Sequence, residues 1–322
     1  GYEFRGSVAV TEPRSGRVCE AARPGVAEKL GAGEDELRKI RPDLIYCAIS
    51  GFGTSGPSRD RPAYDTVAQA ASGYLRLLTP PANPRVIGPA IADAVTGQYA
   101  AMGILAALTE RARTGKGRRL DISMLEAMCH FNLDSFTHYY SVGEVMGPLS
   151  RPVVSQSYTF ECGDGKWIAL HMSSPTKFWE GLLTATGQEQ LNDDPRFNSN
   201  AVRMQNFSVL IEILNGYLAQ DSTANWLARM EEAQLPAGPV NDILQMHQDP
   251  QAIARDMIVD VDHATAGAVK TIGHPVKYSH TPAKVETAAP LLGQHSREVL
   301  TEIGYEPERI EALIRSKAVI AA

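Results

Sequence analysis

The sequence predicts an α/β fold carrying a smaller α+β part, and three observations lead there. The apolar run Leu44-Ile45-Tyr46-Cys47-Ala48-Ile49-Ser50 lies between Pro42 and the Gly51-Phe52-Gly53 turn, as a strand buried on both faces of a parallel sheet does. Helical periods follow it, with a short apolar segment from Leu120 to Ile122 between them. Beyond Pro152 the pattern changes. Ser157 to Cys162, the turn Gly163-Asp164-Gly165 and Lys166 to His171 read as an antiparallel hairpin.

Taken in order, the first helix is expected over 64–78, with Val67, Ala71, Tyr74 and Leu78 on its apolar face and Pro80-Pro81 ending it. A second is expected over 93–113, stopped by Gly115 and Gly117. A third, over 124–142, should bury Met124, Met128, Phe131 and Phe136. After the hairpin, helices are expected over 176–186, 202–219 and 222–233, and two amphipathic stretches near 293–303 and 307–314 close the chain. The expected division is a large domain over 1–151, a small α+β domain over 152–272, and a return to the large domain over 273–322.

At 322 residues, 43% hydrophobic and 21% charged, the chain reads as an ordinary globular protein large enough for two domains. A formal net charge of −6 argues against general affinity for nucleic acid or anionic membrane, so small molecules and other subunits are the expected partners. Cys19, Cys47, Cys129 and Cys162 are widely spaced, without a C-x-x-C pair, and no H-x-x-x-H pair occurs; reduced thiols, a cytoplasmic location and no metal are expected. The start shows no secretory pattern, and the apolar stretch from Ala100 to Leu108 is too short to cross a bilayer.

Asp93 is the most informative residue. It ends the run Val86-Ile87-Gly88-Pro89-Ala90-Ile91-Ala92 and opens a small-residue helical segment, which puts its carboxylate at a helix N-terminus. There it can act as nucleophile or base, or simply cap the helix. Gly51-Phe52-Gly53-Thr54-Ser55-Gly56-Pro57 has the flexibility of a phosphate cradle but no P-loop lysine, and by itself is a turn. Tyr64 and Asp65 begin a helix as a hydrogen-bond donor and a first-turn acid, or as structural residues. Glu126 reads as a solvated helical acid. The cations Arg111, Arg113, Lys116, Arg118 and Arg119 complement a helix C-terminus as readily as they would meet phosphates. No G-x-S-x-G elbow surrounds Ser50, Ser72 or Ser123.

Together, Leu44 to Gly53, the segment Arg61-Pro62-Ala63-Tyr64-Asp65-Thr66-Val67-Ala68-Gln69-Ala70, Ile91-Ala92-Asp93 and Thr114-Gly115-Lys116-Gly117 resemble the family III CoA transferases. Pro236 to Asn241, Asp249 to Arg255, Gly273 to Lys277 and Pro290 to His295 agree, so the resemblance runs from about Arg23 to the C-terminus. It implies a Rossmann-like large domain, an interlocked homodimer, acyl-CoA and a small carboxylic acid as substrates, and Asp93 as the catalytic residue. In that scheme the Asp93 carboxylate attacks an acyl-CoA thioester, and an aspartyl-CoA thioester then passes CoA to an acceptor acid, with the helix start after Asp93 supplying oxyanion donors. Tyr64 matches the family's active-site tyrosine. The related racemases carry histidine there, and tyrosine's high pKa favours transfer over an acyl-CoA racemase or epimerase. Lys29, Gly51, Phe52, Gly53 and Asp65 are the positions expected to contact CoA.

The start of the chain departs from the family. Gly1 to Val18 resembles none of it, so the large domain is expected to be N-terminally shortened, with a bare sheet edge. Glu20-Ala21-Ala22-Arg23-Pro24-Gly25 stands where the family reads Glu-Asn-Phe before its turn, which removes an aromatic from the adenine side. Weak CoA binding is the expectation, with a non-catalytic binding or dimerising subunit as the alternative from another class.

Overall fold

The computed structural model describes residues 7–11 and 16–322. Its first sheet has the order β1-β2-β3-β4, built from Ser7–Thr11 (β1), Arg17–Ala21 (β2), Ile45–Ser50 (β3) and Arg119–Ser123 (β4). β2, β3 and β4 run parallel, with Cys19 opposite Cys47 and Cys47 opposite Leu120; β1 is antiparallel to β2. The expected apolar strand is thus β3, one of the two inner strands. Ile45, Tyr46 and Cys47 are fully buried, because helices cover both faces of a parallel sheet. The edge at the start of the family-like region is shifted outward: β2 is paired on both sides, and β1 is the edge strand among the described residues.

Val26–Lys29 (α1) and Glu34–Ile40 (α2) connect β2 to β3. Asp65–Ala71 (α3), Tyr74–Leu78 (α4) and Ile91–Thr114 (α5) connect β3 to β4. α5 is the long crossover helix, packed on β3, β4 and α3. It ends as expected at Gly115, whose φ of 69° lets its N–H reach the Arg111 carbonyl at 2.8 Å. Gly117 is needed for close approach instead. A Cβ there would lie 2.1 Å from the Leu44 carbonyl oxygen, so only glycine lets the chain pass into β4. The apolar part of α5 is longer than the expected nine-residue core, with an 18-residue window of mean hydropathy 1.3. By length and composition alone it would span a bilayer; here it is the crossover of a parallel strand pair.

Two expected helices are broken. The first divides at Gly73, whose φ is 84°, and the buried residues are Ala68, Gln69, Ser72, Leu75 and Thr79 rather than the Val67, Ala71, Leu78 stripe. The break changes the helical phase, and small and polar residues face inward because α5 and Met124–Phe131 (α6) approach closely. The third divides at Asn132, between α6 and Leu133–Val142 (α7). Asn132 is buried and its side-chain amide donates to the Ser72 carbonyl at 3.4 Å, tying one break to the other. Met124 and Met128 are buried as expected, whereas Phe131 is 49% exposed and Phe136 only half-buried.

After Ser150–Ser155 (α8) comes the expected hairpin, Ser157–Glu161 (β5) and Trp167–His171 (β6), with Tyr158 opposite Leu170 and the positive φ of Gly165 closing the turn. Pro175–Thr186 (α9), Asn200–Gln205 (α10), Phe207–Leu218 (α11) and Thr223–Glu232 (α12) pack on it around Phe160, Ile168, Leu182, Leu210 and Leu214. Ala237–Pro239 (β7) adds a third strand beside β6, too short and too proline-rich to stand out in the sequence. Ile243–His247 (α13) and Pro250–Ala254 (α14) precede a second hairpin, Ile258–His263 (β8) with Gly267–Ile272 (β9). Ser296–Glu302 (α15) and Pro307–Arg315 (α16) match the two terminal amphipathic stretches.

Candidate active site

Asp93 stands in the first turn of α5, exposed, two residues inside its first residue, Ile91. It does not cap the helix: the capping position is Ala90, and the acceptor for the first-turn amides comes from α3. Asp65 Oδ1 accepts the N–H of Ala92 at 2.8 Å and the N–H of Asp93 at 3.3 Å. Asp65 Oδ2 accepts the side-chain amide of Gln69 at 2.5 Å. Partial desolvation, with the Asp65 charge adding to it, raises the Asp93 carboxyl above the ordinary aspartate value.

This arrangement alters one expectation. The start of α5 has no spare donors for an oxyanion: Ile91 N–H goes to the Pro89 carbonyl at 2.8 Å, Ala92 and Asp93 to Asp65, and Ala94 to the Ala90 carbonyl at 3.3 Å. Oxyanion donors from that turn are therefore ruled out in this conformation.

The Gly51-Phe52-Gly53 turn joins this group through close packing. A Cβ on Gly51 would fall 2.3 Å from the Ala63 Cβ, so the turn lies directly on the Arg61-Pro62-Ala63-Tyr64 segment that leads into α3. Gly53 adopts a φ of 87° and donates its N–H to Ser50 Oγ at 3.0 Å; a side chain there would point toward Ser123 and the Glu126 carboxylate. Ser123 caps α6 by accepting the Glu126 N–H at 3.3 Å. The Arg61 guanidinium lies 5.1 Å from the centre of the Phe52 ring, a cation–π contact at the edge of the turn. Thr54 closes the loop with its N–H 3.3 Å from Asp121 Oδ2.

Tyr64 occupies the residue before α3 in an extended conformation and is 69% exposed. Asp65 thus meets the start of α5 that carries Asp93, and the segment leading into Tyr64 and Asp65 packs on the Gly51 turn. Lys29 is exposed at the end of α1, and no hydrogen bond or ion pair links it to these residues among those described. Gln69 is the participant that sequence reasoning missed. It is 1% exposed and donates to both Asp65 and, at 3.3 Å, the Pro89 carbonyl; the signal available was its i, i+4 spacing from Asp65. Three members of the basic cluster have structural partners. Arg111 donates to the carbonyls of Gly16 and Asp43, Arg118 pairs with Glu110, and Arg119 meets Glu34 at 3.0 Å.

A mixed α/β core with an exposed carboxylate in the first turn of its crossover helix defines a class of site suited to carboxylate chemistry. Residues 17–296 match the description of CoA-transferase family III, and the chain belongs to that family. The match begins six residues before the expected Arg23 and stops short of the last 26 residues. The chain is 34% identical over 299 residues to an acyl-CoA transferase of Fusarium pseudograminearum, covering 91% of this chain and 65% of that protein, so it spans about two thirds of that relative's length. It is 31% identical over 312 residues to the succinyl-CoA–D-citramalate CoA-transferase of Chloroflexus aurantiacus (96% and 77% covered). Among solved structures it resembles a CaiB/BaiF family protein from Brucella suis, with a TM-score of 0.78 at 31% identity over 89% of this chain and 75% of that one.

Proposed function

We propose that the protein transfers CoA from an acyl-CoA donor to a carboxylic acid, with Asp93 as the acyl-accepting nucleophile and Tyr64 shaping the site. The observation that carries the reading is the exposed Asp93 carboxyl in the first turn of α5, next to Asp65, in a chain of this family. The carboxylate oxygen attacks the thioester carbonyl and the C–S bond breaks, giving a mixed anhydride and CoA thiolate. The thiolate attacks the Asp93 carbonyl, which releases the donor acid and leaves an aspartyl-CoA thioester. The acceptor carboxylate then displaces the thiolate, which finally attacks the acceptor acyl carbon and restores the Asp93 carboxylate. Gly51, Phe52 and Gly53 are the proposed contacts at the reacting end of CoA.

Relatives named for succinyl-CoA with citramalate or glutarate make succinyl-CoA and short dicarboxylic acids the first pair to assay. We further propose a homodimer joined through α7, none of whose residues is buried, and the division of the chain near 151 and 272. Incubation with succinyl-CoA followed by hydroxylamine should place a hydroxamate on Asp93, and Asp93→Ala should abolish exchange. Full exchange by Asp93→Ala, or rapid uptake of solvent deuterium at the α-carbon of a 2-methylacyl-CoA without transfer, would overturn the reading.

A further inference from the structure

We propose that Asp65 is the positioning residue of this site: it takes the first-turn N–H groups of α5 and sets its own negative charge beside the Asp93 carboxyl, with Gln69 holding it there. The inference rests on Asp93 being the acyl-accepting group.

Every α-helix begins with N–H groups that lack intrahelical acceptors. In α5 two of them, from Ala92 and Asp93, converge on the single oxygen Asp65 Oδ1. The other oxygen accepts from Gln69, so three of the carboxylate's acceptor sites are held inside the protein. Asp65 thereby acts as a brace behind the nucleophile. Gln69 is fixed in turn. Its Nε2 lies against two acceptors, Asp65 Oδ2 and the Pro89 carbonyl, so the amide cannot be reversed without setting oxygen against oxygen. Its Oε1 is then left buried with no partner among the described residues, a cost that packing alone does not explain. The amide is held for the sake of its donor.

The electrostatic consequence follows from the geometry. A helix N-terminus ordinarily favours a nearby carboxylate as an anion. Here that favour is spent on Asp65; partial desolvation, with the like charge of Asp65 adding to it, makes the Asp93 carboxyl more basic and the stronger nucleophile toward a thioester carbon. Other ionisable groups stand on the packed elements. On α6, the Glu126 carboxylate lies on the Gly53 side, Cys129 is half-buried beside Glu126, and His130 Nδ1 bonds the Tyr99 hydroxyl of α5 at 2.6 Å. On β3, Tyr46 binds Glu20 at 2.9 Å and Cys47 faces Cys19; on β4, Arg119 meets Glu34 and Asp121 meets Thr54. Glu110, Arg111 and Arg113 stand at the far end of α5.

Two measurements on the full chain test this without acyl-CoA. In the unmodified protein, the amides of Ala92 and Asp93 should exchange with solvent on the order of tenfold more slowly than Thr176 and Lys177, the matching positions of α9, which has no side-chain cap. In Asp65→Asn, the Asp93 carboxyl, followed by carbon NMR and assigned with Asp93→Asn, should titrate at lower pH than in the parent. Equal exchange at the two helix starts, or an Asp93 titration that stays in place or moves up, overturns the proposal; if Asp65→Asn fails to fold, the exchange comparison decides alone. A hydroxamate on Asp93 with both readouts negative rejects the positioning role only. Both readouts positive with full exchange by Asp93→Ala reject the proposed chemistry and leave the brace standing.

Discussion

Gly51 and Ala63 are in such close apposition that a methyl group on Gly51 would stand 2.3 Å from the Ala63 Cβ. The contact fixes the turn after β3 against the segment that delivers Tyr64 and Asp65. Gly51→Ala must therefore push the two segments apart, at a cost of about 1–3 kcal/mol for overpacking. The displacement reaches the start of α3, and misplacement by about 1 Å is enough to lower turnover on the order of 100-fold. Urea denaturation and steady-state exchange should show both losses. Ala63→Gly added to Gly51→Ala should restore most of each, because it removes the atom that clashes.

The raised Asp93 carboxyl predicts a pH dependence with a definite sign. Its folded value lies above that of the unfolded chain, about 3.9 for aspartate. Between the two values the folded state binds more protons, so stability falls as pH rises through that window and the penalty persists above it. Asp93→Asn should accordingly be more stable than the parent at pH 7, while the difference fades near about pH 3, below both values. Thermal denaturation at the two pH values measures it. A stabilised variant that is inactive would show that the site holds its carboxyl at the expense of stability.

What the sequence made legible, and what it did not, divides along physical lines. β3 and α5 were readable because burial on both faces and a glycine stop leave local marks at Leu44 to Ser50 and at Gly115. The interruptions at Gly73 and Asn132 were missed because each fits a continuous helical period, and only the Asn132 to Ser72 hydrogen bond shows that the breaks meet. The placement of Asp93 in the first turn of α5 and of Tyr64 just ahead of α3 was legible from local pattern. The commitment of Asp65 to the α5 amides was not, since residues 27 and 28 positions apart meet only after folding. The same holds for Gln69, a polar residue on a face that the apolar period placed outward.

The proposed dimer makes a second surface testable. On and after α7, Tyr140 is 76% and Val145 84% exposed, and Tyr139, Val142 and Leu149 extend the apolar area. Large exposed apolar patches of this kind mark interfaces. Tyr140→Glu combined with Val145→Glu places two charges in the patch, which should convert the protein from dimer to monomer in sedimentation velocity while leaving its helical signal intact. A parent protein that sediments as a monomer would dismiss the assignment.

Tyr158 separates the value of a ring from that of its hydroxyl. The ring is 3% exposed and stacked between Phe160, with centroids 5.6 Å apart, and Phe207, at 4.8 Å. Its hydroxyl is buried with no hydrogen-bond partner among the described residues, and burial pushes its ionisation far above the usual phenol range. The ring contributes through packing and aromatic contact, whereas the unpaired hydroxyl costs about 1–3 kcal/mol in lost hydration. Tyr158→Phe should thus raise the unfolding free energy by about 1 kcal/mol, and Tyr158→Ala should lower it by about 3–5 kcal/mol through the cavity it leaves. Urea unfolding of the two variants tests the separation: a Tyr158→Phe protein less stable than the parent would mean that the hydroxyl has a partner in solution.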